Sequence, residues 1–197
     1  MKCNGIDPAR GEQVEVSFTD FIHAVDPLLE ARGESTYISP GWIDLQVNGF
    51  AGVDYNAPSA THAEIARSIH ALFQTGVTRF FPTVITGSPD DMSGALRNLA
   101  SAKEALWEGA AMEAFHLEGP YISPQDGPCG AHPSLWVRPP DPEEFRRFQD
   151  AACETSGFLR SPPNGRKRRA SSSRWYARVW LSASVTRARM PPKSPMP

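Results

Sequence analysis

The sequence predicts an α/β fold with parallel strands, on three observations. Short apolar segments alternate with longer segments of helical period, the connections between them are short, and the strand segments end in glycine beside polar side chains. Strands separated by helices are not joined by tight hairpins, so the economical arrangement is side by side in one direction.

The elements follow in order. Residues 1 to 38 alternate weakly, through Val14, Val16 and Phe18 and then Ile22 and Val25, which predicts short antiparallel strands with little core of their own. Residues 41 to 48 read as a buried strand, with Gln46 and Asn48 projecting to one face near its end. After the turn Gly49-Phe50-Ala51-Gly52, Ser59 or Thr61 caps a helix whose apolar positions Ile65, Ile69, Leu72 and Phe73 share a face, and Gly76 closes it. Residues 78 to 84 are β-branched and aromatic and predict a second strand. Ser88-Pro89-Asp90-Asp91 then opens a helix carrying Met92, Ala95, Leu96 and Leu99. Residues 111 to 117 predict a third strand, with Glu118 at the point where it breaks at Gly119-Pro120. From 141 to 152, Pro142 in the first turn and Phe145, Phe148 and Ala152 at helical spacing predict a further helix.

Three blocks carry a family resemblance: Pro40-Gly41-Trp42-Ile43-Asp44-Leu45-Gln46-Val47-Asn48-Gly49; Thr75-Gly76-Val77-Thr78-Arg79-Phe80-Phe81-Pro82-Thr83; and His116-Leu117-Glu118-Gly119-Pro120 followed by Gly130-Ala131-His132-Pro133. In order and spacing they resemble the N-acetylglucosamine-6-phosphate deacetylases of the amidohydrolase superfamily, over residues 36 to 150. The resemblance implies a partial (β/α)8 barrel, its first three to four βα units in residues 39 to 153, preceded by a fragment of a small β-sandwich in residues 1 to 38. It also implies hydrolysis of the acetamide of N-acetylglucosamine 6-phosphate to glucosamine 6-phosphate and acetate, with a divalent metal, zinc by expectation, activating water and polarising the carbonyl. An amino-sugar phosphate is the implied substrate and a homo-oligomer the implied assembly of the intact enzyme.

The resemblance assigns Glu118 as the carboxylate metal ligand; spacing alone would favour an ion pair or a helix cap over a ligand. His116 shares its strand face and either orients that ligand or is a satisfied buried histidine. Gln46 and Asn48 stand where many amidohydrolases carry a His-x-His pair; as amides they suit a pocket or strand-end hydrogen bonds, and they suggest one principal metal. Ala131 and His132 match positions that contact the amino sugar, through backbone and imidazole respectively, although the connection from Gln125 to Gly130 is longer than usual and His132 could instead be a solvent-exposed loop residue. Asp44 reads as structural, and Cys129 as exposed without a neighbour that would activate it. The family's two histidine ligands, its acid/base aspartate and its phosphate-binding residues have no counterpart in frame. One carboxylate cannot by itself hold a catalytic metal that needs three protein ligands, so the chain as it stands is expected to be inactive. Deacetylation of another N-acetylated sugar is the alternative within the enzyme class.

Length and charge sharpen this. A complete barrel of this kind needs about 250 residues, and the chain has 197. Its net charge of -2 hides a break. Residues 1 to 153 hold 10 basic and 21 acidic side chains, and residues 154 to 197 hold 10 basic ones and only Glu154. That last segment, with Arg166-Lys167-Arg168-Arg169 and a proline-rich end, has no apolar period and reads as a disordered basic tail. Read one nucleotide out of frame it can yield Val-Val-Ser-Ile-Gly-His-Thr, which resembles the family strand that delivers a histidine ligand, so the tail is expected to be frameshifted. The competing reading is a non-catalytic fragment whose tail binds nucleic acid, which is not the expected partner. Three cysteines without metal or disulfide spacing, no signal-peptide layout and no membrane-length apolar run predict a cytoplasmic protein that does not engage a membrane.

Overall fold

The computed structural model describes residues 1–19, 21–28 and 36–153, so the basic segment from 154 onward lies outside the described residues. The chain divides into two compact units, Met1–Gly41 and a second beginning at Trp42. The first unit is an antiparallel meander of β1 (Lys2–Asp7), β2 (Glu12–Phe18) and β3 (Ile22–Pro27). Val14 and Val16, two residues apart and therefore on one face, are its buried side chains. An isolated parallel bridge joins Ile6 to Tyr37.

The second unit opens with β4 (Trp42–Val47), then a hairpin of β5 (Gly49–Phe50) and β6 (Val53–Asp54). The hairpin turns on Ala51 and Gly52, both with positive φ (51° and 80°), as a two-residue primed turn requires. Helix α1 (His62–Gln74) begins at the predicted Thr61 with a complete capping box, in which the Thr61 hydroxyl accepts from the Glu64 amide while the Glu64 carboxylate accepts from the Thr61 amide. It ends at Thr75 followed by Gly76 with φ 85°. Ile65, Ile69 and Leu72 are its buried face.

Strand β7 (Val77–Ile85) follows, then α2 (Pro89–Ala105), capped by Ser88, and β8 (His116–Glu118). The strands β4, β7 and β8 form one parallel sheet in that order. The central strand holds Pro82, which lacks an N–H for the ladder. The irregularity is absorbed where the β4 register shifts between Asp44 and Val47, and the Val47 amide donates to the Thr83 hydroxyl at 3.1 Å. Phe80 stacks on Tyr55 at 5.8 Å beneath α1 and α2. The Tyr55 hydroxyl is held at 2.8 Å from the Ser68 hydroxyl, which donates to the Phe50 carbonyl at 3.0 Å, and burial raises the Tyr55 pKa. Helix α3 (Pro142–Ala151), capped by Asp141, buries Phe145 and Phe148.

Two expectations are corrected. The third strand is shorter than residues 111 to 117: Ala111 closes a 3-10 turn, and pairing with β7 begins at His116. Met112 bridges Phe80 and His116 pairs with Thr83, four steps against three, so one extra residue interrupts the strand between them. The first strand is not buried throughout. It is an edge strand on which Trp42 is 70% and Leu45 68% exposed, with only Val47 buried. Among the described residues no helix is long and apolar enough to cross a membrane.

Candidate active site

The C-terminal edge of the parallel sheet gathers most of the residues singled out by sequence, as expected where parallel strands present their ends to a ligand. Glu118 ends β8, paired to Ile85 at the end of β7. Its Oε2 accepts from Gln46 Nε2 at 2.9 Å, and its Oε1 lies 3.8 Å from His132 Nε2. The carboxylate is about 30% exposed and the imidazole 16%, a partly open arrangement that solvent or ligand can reach. His132 reaches this edge from the loop after β8, and its Nδ1 sits 2.9 Å from the Thr86 hydroxyl.

His116 is buried on the same strand face as Glu118, its Nδ1 3.3 Å from the Thr83 hydroxyl, which also contacts the Phe81 carbonyl at 3.1 Å. Asn48 enters through its backbone: its carbonyl accepts from the Tyr55 amide at 3.0 Å and from Asn56 Nδ2 at 3.3 Å. Ala131 is exposed. Asp44 accepts from the Gln46 amide at 3.1 Å. Cys129 differs from expectation. It is 7% exposed, with its thiol donating to the His132 carbonyl at 3.4 Å, because the loop folds back over it.

Three supporting residues were not singled out by sequence. Asn56 ties the ends of β4 and β7 together: its Oδ1 accepts from the Ile85 amide at 2.7 Å, and its Nδ2 reaches the carbonyls of Asn48 and Thr83 at 3.3 and 3.4 Å. The only signal was an Asp-x-Asn pattern after the turn, too common to stand out. Arg138 fastens the loop carrying His132. Its Nε donates to both oxygens of Glu144 at 3.0 and 2.9 Å, and its Nη1 donates to the Gly87 and Trp136 carbonyls at 3.0 and 2.6 Å. Tyr121 completes the cluster by donating to Glu144 at 2.8 Å. Burial first, and then the bond to the Glu144 carboxylate, push its pKa far above the phenol range.

Among the described residues no group of three His, Cys, Asp or Glu side chains is placed to hold a metal ion. The donor chemistry at this edge is one carboxylate with an amide and the Nε2 edge of an imidazole turned toward it, which suits a single ligand contributed to a larger set.

No family model matches the chain. It is 35% identical over 127 residues to N-acetylglucosamine-6-phosphate deacetylase of Bacillus subtilis, covering 63% of this chain and 31% of that protein. Against the enzyme of the same name from Caenorhabditis elegans it is 41% identical over 137 residues, covering 66% and 32%. The chain thus spans about a third of the length of these relatives. A solved structure of the Mycobacterium smegmatis deacetylase, a variant in complex with N-acetyl-D-glucosamine-6-phosphate, superposes with a TM-score of 0.68 at 25% identity over 85% of this chain and 42% of that one. The Thermotoga maritima enzyme gives 0.60 at 26% identity over 75% and 39%. These matches bear out the mixed α/β fold and the resemblance drawn from the three motifs. In sequence and in fold, the chain corresponds to the N-terminal portion of N-acetylglucosamine-6-phosphate deacetylases.

Proposed function

We propose that these residues serve a metal-dependent deacetylase that hydrolyses the acetamide of N-acetylglucosamine 6-phosphate. Water adds to the carbonyl carbon, the C–N bond breaks, and acetate and the free amine of glucosamine 6-phosphate leave. The observation that carries this reading is Glu118 at the sheet's C-terminal edge, with Gln46 and His132 turned toward it, in a chain similar to deacetylases of that name. The finer architecture we assign is a partial (β/α)8 barrel, with residues 1 to 38 as part of a β-sandwich.

Glu118 would contribute one ligand to a divalent metal, which we take to be zinc. That metal supplies activation of water and polarisation of the acetamide oxygen. Gln46 holds one carboxylate oxygen by an N–H bond, fixing the orientation of the other. His132 and the backbone at Ala131 bind the sugar. Asn56 and Arg138 hold the strand ends and the loop in register. The described residues do not supply a complete ligand set, so the 197-residue protein is expected to release no acetate above background.

The test has two arms. Resequencing the coding DNA from the codons of α3 onward shows whether a one-base correction opens the longer frame. The corrected polypeptide, purified with divalent metal, should then release acetate from N-acetylglucosamine 6-phosphate. Replacing Glu118 by Gln should lower the rate at least about 100-fold, since metal polarisation contributes several kcal/mol. Equal rates on the unphosphorylated sugar would point instead to a deacetylase of another N-acetylated sugar. Robust activity in the 197-residue protein would refute the inactive reading.

A further inference from the structure

We infer that Thr86 is a positioning residue for His132: its hydroxyl donates to Nδ1, holds the ring against the sheet, and leaves the ring proton on Nε2, facing Glu118. Thr86 is the first residue past β7 and is 2% exposed, so its hydroxyl has little access to water and must find a partner in the protein. That partner is His132 Nδ1 at 2.9 Å.

The space for this contact is made by Gly119. A Cβ built there would lie 2.1 Å from Thr86 Oγ1 and 3.3 Å from Thr86 Cβ, and Gly119 has φ +101°. Glycine is therefore required at 119 twice over, for its backbone conformation and because the Thr86 hydroxyl occupies the volume any side chain would need.

The sense of the hydrogen bond follows from the other side of the ring. Nε2 stands 3.8 Å from a Glu118 oxygen. With the proton on Nδ1, an Nε2 lone pair would face a carboxylate. With the proton on Nε2, that edge becomes a donor and Nδ1 becomes the acceptor that the Thr86 hydroxyl satisfies. Among the described residues, Thr86 and Glu118 are the ring's polar side-chain neighbours. The loop itself is fastened separately through Arg138, so losing the Thr86 hydroxyl would free the ring without releasing the loop.

The inference rests on the reading of His132 as a substrate contact. It adds that what His132 offers is a single N–H donor, suited to a hydroxyl or carbonyl oxygen of the sugar.

The test is the ring nitrogen spectrum of the 197-residue protein labelled at histidine. It is recorded at about pH 8.5 for the wild type, Thr86→Val and Thr86→Ser. The expected result is a His132 with its proton on Nε2 and an Nδ1 signal displaced upfield by an accepted hydrogen bond. That signal should return to the free-imine position in Thr86→Val and stay displaced in Thr86→Ser. A wild-type proton on Nδ1, a wild-type Nδ1 signal matching that of histidine in a short peptide, or an unchanged signal in Thr86→Val overturns the inference. The wild-type spectrum alone decides it if Thr86→Val does not fold. No substrate is involved, so failure here overturns the role of Thr86 and leaves the deacetylase reading to the acetate assay.

Discussion

Arg138 and Glu144 form an ion pair whose carboxylate is 5% exposed, and Tyr121 donates to the same group. A charge that deeply placed is tolerated because the guanidinium and the phenol satisfy it. Replacing Arg138 by Met strands the Glu144 charge and should cost about 3–5 kcal/mol in denaturant titration, whereas Arg138→Met combined with Glu144→Leu should recover most of that loss. Asn56 answers to similar logic on a smaller scale. Asn56→Ala takes the acceptor from the Ile85 amide and one donor each from the Asn48 and Thr83 carbonyls, of which Asn48 keeps the Tyr55 amide. The expected cost is about 1–3 kcal/mol, read as a lower unfolding midpoint together with faster hydrogen exchange of the Ile85 amide.

At the level of elements, α1 owes its start to the Thr61–Glu64 capping box. Removing the hydroxyl with Thr61→Ala should cost about 1 kcal/mol. Hydrogen bonds from the Thr61 amide and then its hydroxyl lower the pKa of Glu64 below its ordinary 4.5. A carboxylate whose folded pKa is depressed stabilises fully above the unfolded value and loses that contribution as pH falls through the folded one. The helix should therefore fray as pH drops below about 4.5, followed by circular dichroism, and Glu64→Gln should flatten that dependence.

These elements were largely legible because their signals are local. Thr61, Ser88 and Asp141 each stand directly before an apolar helical period, and Gly76 directly after one. The truncated third strand was not legible, since its interruption is a one-residue slip against Phe80 and Thr83, more than thirty positions away. The site divides the same way. Glu118, Gln46 and His132 came from motifs, whereas Asn56 and Thr86 act across 27 and 46 positions through single hydrogen bonds that leave no period in the sequence.

Across the whole molecule, the second unit presents Trp42, Ile43 and Leu45 on an edge strand, at 70%, 55% and 68% exposure. An apolar edge with unpaired backbone groups is a template for other strands. The 197-residue protein is expected to self-associate with rising concentration in sedimentation velocity, and Leu45→Lys should shift that association to higher concentration.

The sheet order β4-β7-β8 repeats the order of the chain. Each strand of this sheet therefore docks on the strand of the same sheet that precedes it in the chain, with one α-helix in each interval. A polypeptide leaving the ribosome N-terminus first can add these units one at a time, with β8 as the growing edge. In a longer polypeptide whose sheet closed into the proposed barrel, the end most recently synthesised would be the one that stays open, and the strand that finally closed on it would be β4, the first of this sheet to be made.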